Sequence, residues 1–302
     1  MKTPTLKMAA TFLAMMPLLT ACGGGGGYDG GSNPPPPTGG ITRTGDAVAV
    51  GPITGFGSVI VNGVEYETDA ATTFIHDDNP SAGQDDFKVG ETVLIKGRID
   101  DNNGNARATE IEFEDAVEGP VTSVDELAST FVVLGQTVRV VATTSFDDSC
   151  NIDSLNGLIG FAQVEVSGTA DSTGVIEATR VECKTQAQVG LDDLWEVNGT
   201  VRNLSTANST FEINGFVVDY TGATRDNFPG DVISEGDPVE AKGNALTGTG
   251  ALAASRVEYK GARFADDAGD HIEIEGFITR FVSPTNFDVS GIPVKEITGT
   301  VY

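Results

Sequence analysis

The side chains with which this chain could hold a cation or move a proton are its carboxylates, which outnumber its lysines and arginines 44 to 18. They gather in short runs: His76-Asp77-Asp78, Asp85-Asp86, Asp192-Asp193, and Asp266-Asp267 with Asp270-His271. Ca²⁺ takes about six to eight oxygens, and such runs can supply them. Spacing singles out no site, however. If Gly104 in Asp101-Asn102-Asn103-Gly104 took the glycine place of an EF-hand loop, the first ligand position would fall on Ile99, which cannot coordinate. The runs therefore read as solvated loops, and no metal ligand is assigned. Catalysis has as little support. Gly55-Phe56-Gly57-Ser58 has no helix signal after it and is no nucleophile elbow. The five glycines at 23–27 precede neither a helix nor a phosphate-binding Lys. Nothing in the spacing brings two carboxylates into one cleft. No catalytic residue and no cofactor is assigned, and the chain is expected not to be an enzyme. A net charge of −26 and a pI near 4.1 exclude nucleic acid as a partner.

The three cysteines divide into two kinds. Cys150 and Cys183 have 32 residues between them, with no Cys-x-x-Cys and no histidine nearby. In an oxidising compartment they are expected to form a disulfide, stabilising the fold by roughly 3–4 kcal/mol on the loop-entropy account. Cys22 is different. Lys2 and Lys7 precede an apolar stretch from Met8 to Leu19, which runs into Leu19-Thr20-Ala21-Cys22. That order of charge, apolar core, small residues and cysteine resembles a bacterial lipobox. It implies a signal peptide at 1–21 and a diacylglyceryl group on Cys22, with the membrane as a partner through that lipid. The apolar stretch is too short to span a bilayer itself. Gly23 stands where an inner-membrane retention signal would have Asp, which favours the outer membrane. Loss of residues 1–21 takes the charge from −26 to −28. Residues 22–45, rich in Gly and Pro, read as a disordered tether.

The elements that must position these groups repeat. A glycine marks each opening strand: Gly51, Gly119, Gly199 and Gly276. A hairpin follows, as Val59-Ile60-Val61-Asn62-Gly63-Val64, Phe211-Glu212-Ile213-Asn214-Gly215-Phe216 and, with Leu134 for the turn Asn, Phe131 to Val138. Asn-Gly between alternating apolar residues is a strong hairpin signal, because a type I′ turn needs two positive φ angles. A third marker is a strand ending in glycine: Val93 to Gly97, Val164 to Gly168 and Val239 to Gly243. A closing strand begins at Ala108, Ala178 and Ala254. Five short strands with a long link after the third predict an all-β chain of tandem OB-like barrels, a small β-sandwich being the alternative. The opening-strand glycine is expected to permit a bend that lets one strand serve both sides of a barrel. Recurring aromatics (Phe56, Tyr66, Phe131, Phe211 and Phe287) are assigned to the cores rather than to a glycan platform.

Gly51 to Tyr66, with Lys88 to Val93 and Ala108-Thr109, resembles a bacterial envelope repeat and is similar to the domain-of-unknown-function 5666 family. That resemblance implies tandem copies behind a lipoprotein signal and supplies no catalytic residue. The units are expected at 46–115, 116–184 and 195–260, with polar connectors at 185–194 and 261–271. A fourth unit at 272–302 stops after its third strand, so the chain is expected to be part of a longer one. The functional expectation is a lipid-anchored, non-catalytic binding or structural module of the envelope, whose partner is another envelope protein, a surface glycan or divalent cations. The alternatives are a carboxylate-dependent cell-wall hydrolase and a Ca²⁺-stabilised adhesin. Two converging, perturbed carboxylates in a concave pocket would favour the hydrolase.

Overall fold

The computed structural model describes residues 45–100, 105–190, 194–261, 272–275, 278–289 and 292–295. Cys22, the signal peptide and the tether up to residue 44 lie outside the described residues, as do residues 101–104 and the acidic runs at 192–193 and 266–271, while Gly45 already belongs to the first strand.

Barrel 1 is made of β1 (Gly45–Gly55), β2 (Val59–Val61), β3 (Val64–Glu67), β4 (Thr73–His76), β5 (Thr92–Asp100) and β6 (Asn105–Phe113). β1 is long enough to pair with β5 along most of its length and with β2 at its far end. β2 pairs β3, β3 runs parallel to β6, and β6 returns antiparallel to β5. Those five strands close a ring, which settles the barrel against the sandwich. β4, inside the long link, adds parallel to β6.

Barrel 2 repeats the ring with β7 (Val117–Gly119), β8 (Val121–Asp125), β9 (Thr130–Val133), β10 (Gln136–Phe146), β11 (Gln163–Ala170) and β12 (Ile176–Lys184). Here the opening strand is cut into β7 and β8 at Pro120. β8 pairs β9 and β7 pairs β11, while β10 lies parallel to β12. Barrel 3 has β13 (Trp195–Thr200), β14 (Arg202–Ser205), β15 (Thr210–Ile213), β16 (Phe216–Asp219), β17 (Thr224–Asp226), β18 (Pro238–Leu246) and β19 (Leu252–Tyr259), paired in the same order. β20 (Ile272–Glu275) lies parallel to β1, and β21 (Ile278–Ser283), β22 (Asn286–Val289) and β23 (Ile292–Lys295) form a separate meander.

Each barrel fills its interior with the inward half of the alternating pattern. Ile53, Val61, Tyr66, Ile95 and Ile111 pack barrel 1; Phe131, Val138, Val164 and Ile176 pack barrel 2; Phe211, Ile213, Val218 and Leu252 pack barrel 3. Two of the aromatics assigned to cores are not there. Phe56 is exposed in the β1–β2 turn, and Phe287 is only half-buried in the meander. Cys150, in the link after β10, is bonded to Cys183 in β12, with their Cα atoms 5.0 Å apart.

The repeated glycines have physical reasons that alternation does not reveal. In barrel 1 the irregular register of β1 lies between Ile53 and Gly55, beyond Gly51. A Cβ on Gly51 would strike the Asn62 side chain; on Gly119, Leu134; on Gly199, Ile213. The opening glycine is thus chiefly a seat for the hairpin folded over it, not the bend. In barrels 2 and 3 the break in the opening strand comes just after it. At Gly97, Gly168 and Gly243 a Cβ would come closer to a partner-strand carbonyl oxygen than real Cβ atoms do, and all three sit at a bulge in the pairing. Leu134 keeps the hairpin turn without the Asn: its φ is +44°, Gly135 follows at +71°, and the Leu134 side chain is buried over Gly119.

Candidate functional site

β7 of barrel 2 pairs antiparallel with β13 of barrel 3, so the sheets of these two barrels are continuous. Register then sets a row of charged side chains across six strands: Glu182, Glu165, Glu118, Glu196, Lys242 and Arg256. Their neighbours along each strand (Val181, Val164, Val117, Val197, Ala241 and Val257) are buried in the cores, so period 2 turns the charged row outward. Glu118, Glu196, Glu240 and Lys242 are nevertheless buried. Barrel 1 and the link at 114–116 lie over this face. Thr92 meets Thr179 at 3.0 Å, Arg180 donates to the Val89 carbonyl at 3.3 Å, and Asp78 of barrel 1 reaches Lys242 and Arg256 of barrel 3.

Within this seam the charges form two groups. In the first, Asp78, Glu114 and Glu240 stand together, each with an oxygen within 4.8 Å of the others. Three cations face them. Lys242 is 2.9 Å from Asp78 and 3.4 Å from Glu240; Lys260 pairs with Glu114 and lies 3.4 Å from Glu240; Arg256 is 3.0 Å from Asp78. Burial works against the charged lysines, but the surrounding carboxylates outweigh it and hold both pKa values above the ordinary range. Burial likewise opposes ionisation of Asp78, yet Lys242, Lys260 and Arg256 keep its pKa low. This group is charge-compensated.

The second group is Asp115, Glu118 and Glu165, again with an oxygen of each within 4.8 Å of the others. Among the described residues Lys184 is the cation ion-paired with it, 2.9 Å from Glu118 and paired also with Glu165. Asp115 is 2 % exposed. Its main-chain oxygen accepts a 2.6 Å bond from Asn198, which fixes it at the junction of all three barrels. Burial, and then the charge on Glu165, push the Asp115 carboxyl well above the usual carboxylate range. Burial and Glu165 push Glu118 to about 7, despite Lys184. Burial and Glu240 push Glu196 to about 8. A cavity of about 70 Å³ opens beside Asp115 and Glu165, with Ser167 in its wall and His76, Lys88 and Arg180 around it. His76 stands between the Phe87 and Phe113 rings. Burial works against its cation, but Asp77 and Glu91 outweigh it and raise its pKa to about 10.

Of the two acidic runs among the described residues, His76-Asp77-Asp78 enters the seam. Asp86 lines the cavity mouth, and Asp85 is exposed. Of the side chains that make the site, Glu118, Glu165, Glu196 and Glu240 come singly on strands, and the adjacent Glu114 and Asp115 of the link were not singled out as a run. The signal was in the repeats: Glu165 and Glu240 share one outward position of the glycine-ended strand, before Gly168 and Gly243. No metal ligand was expected, whereas the fold assembles two carboxylate trios. Among the described residues no helix is long and apolar enough to cross a membrane.

Comparison with known proteins bears on the three barrels. A family model described as a domain of unknown function (DUF5666) matches residues 49–112, 118–182 and 198–258, one copy to each barrel. No curated protein matches the chain.

Proposed function

The chain belongs to the DUF5666 family, and from that premise we propose that it is a non-catalytic binding or structural module held in the bacterial envelope by a lipid on Cys22. The observation that carries this reading is the fate of the charged row. Its bases are spent on joining barrels, through Asp78 of barrel 1 to Lys242 and Arg256 of barrel 3, with Glu114 of the link bound to Lys260 beside them, while Glu118 pairs with Lys184 inside barrel 2. Such a body is a rigid scaffold that presents its outer loops to an envelope protein or glycan.

A cell-wall hydrolase has one observation in its favour, because Asp115 and Glu165 do converge beside a cavity and the pKa of each is raised. The cavity of about 70 Å³ has room for a few waters but is well below the several hundred Å³ of pockets that enclose organic ligands. Cross-linking of the full chain in its own envelope tests the proposal. It is expected to capture a protein or glycan partner from the membrane fraction, and Cys22→Ala to release the chain from that fraction. Hydrolysis of purified cell-wall glycan by the chain, lost in Glu165→Gln, would overturn it.

A further inference from the structure

We propose that Asp115, Glu118 and Glu165 bind one Ca²⁺ ion at the junction of barrels 1 and 2. Four observations meet there. An oxygen from each of the three carboxylates lies within 4.8 Å of the other two, a spread that one Ca²⁺ with ligands at about 2.3–2.6 Å can bridge. Asp115, 2 % exposed, lines the cavity, and among the described residues its hydrogen bond is made by the main-chain oxygen and not by the carboxylate. A buried carboxylate without a partner is costly, and a ligand is the ordinary remedy. Among the described residues Lys184 is the one cation ion-paired with these three carboxylates, so ionisation of all three is favoured by a further cation. The cavity of about 70 Å³ and the Ser167 side chain in its wall leave space for waters to complete an oxygen shell.

The neighbouring trio is the internal contrast. Asp78, Glu114 and Glu240 have the same span but are ion-paired with three cations, Lys242, Lys260 and Arg256. Donor chemistry is all oxygen, which selects hard cations over zinc or copper. The donors come from β7, β11 and the link before β7, an irregular set that suits the flexible shell of Ca²⁺ better than the strict octahedron of Mg²⁺. The ion would tie the 114–116 link onto the sheet of barrel 2 and so fix where barrel 1 sits.

The test is calorimetric titration of the EDTA-dialysed full chain with CaCl₂ and, separately, with MgCl₂. Emission of Trp195, which packs against the cores of barrels 2 and 3, is the second readout. One saturable Ca²⁺ per chain is expected, with a rise in melting temperature. Asp115→Asn is expected to weaken binding by about tenfold or more, since affinity follows ligand charge. In EDTA the same variant should melt no lower than the parent, because Asn keeps the volume and the main-chain bond to Asn198 is untouched. Glu165→Gln serves as an independent variant with the same expected loss. Absence of saturable binding at millimolar Ca²⁺, affinity unchanged in both variants, or tighter binding of Mg²⁺ would each overturn the proposal.

Discussion

Glu118 and Glu196 face one another across β7 and β13, both nearly out of water. Like charges directly opposite in a sheet repel, and burial removes the solvent that would soften this. The molecule answers with Lys184 and Lys242 and with held protons, and the second answer has a pH signature. The folded carboxyl values are about 7 for Glu118 and about 8 for Glu196, against an ordinary value of 4.5, so folding tightens both protons. The stability this gives is complete below the ordinary value and drains away as pH rises through the folded values. Asp78 works with the opposite sign. Its lowered pKa gives stability that is present above the ordinary aspartate range and is lost as pH falls through its folded value. Thermal melts in EDTA from about pH 4 to about pH 9 should therefore peak on the weakly acidic side and decline through neutrality. Glu118→Gln and Glu196→Gln should flatten the upper limb, and an unchanged limb would count against this account. These residues show where the sequence was silent. Alternation says that Glu118 and Glu165 point away from a core, but not that another barrel covers them. Asp77 and Asp78 stood out as a run and are exposed, as a solvated loop would be, but the pairing of Asp78 with Lys242 and Arg256 of another barrel was not legible.

Among the elements, the glycine-ended strand decides most. Gly97, Gly168 and Gly243 lie where the pairing slips by a residue and the neighbouring strand's carbonyl comes close. Bulges of this kind let a strand turn around a small barrel. Gly243→Ala is expected to destabilise the fold by roughly 1–3 kcal/mol, as overpacking does, read from urea unfolding. Gly222→Ala is the control, since a Cβ there meets nothing within 4 Å and its φ is not in the positive region. Equal costs for the two would refute the argument. Strand order, hairpins and the number of barrels were legible, because Asn62-Gly63 and Asn214-Gly215 mark turns and the inward residues alternate. The bulges were not, since a slip in register leaves no trace in periodicity beyond the glycine itself. Barrel 2 shows that a marker can change while the element persists: Leu134 accepts a positive φ and gains burial over Gly119.

At the scale of the whole molecule, the described residues fall in one compact unit, and the joints between barrels are of two kinds. Barrels 2 and 3 share backbone hydrogen bonds through β7 and β13, and Asn214 donates to Gln136 at 2.9 Å beside that joint. Barrel 1 is held to barrel 3 by side-chain charges that converge on Asp78. Calorimetry should therefore show one cooperative transition for the parent. In Asp78→Ala a first transition, that of barrel 1, should separate and fall by at least about 2–4 °C, the equivalent of ~1 kcal/mol in a body of this size. A single unshifted transition would mean that the joint does not depend on Asp78. The shared strand pair also bears on inheritance. A recombination event that dropped the middle copy would strip β13 of its neighbour and leave an open edge on barrel 3, the kind of edge that invites aggregation. Loss of barrel 3 would open β7 in the same way, so barrels 2 and 3 should be inherited as a pair.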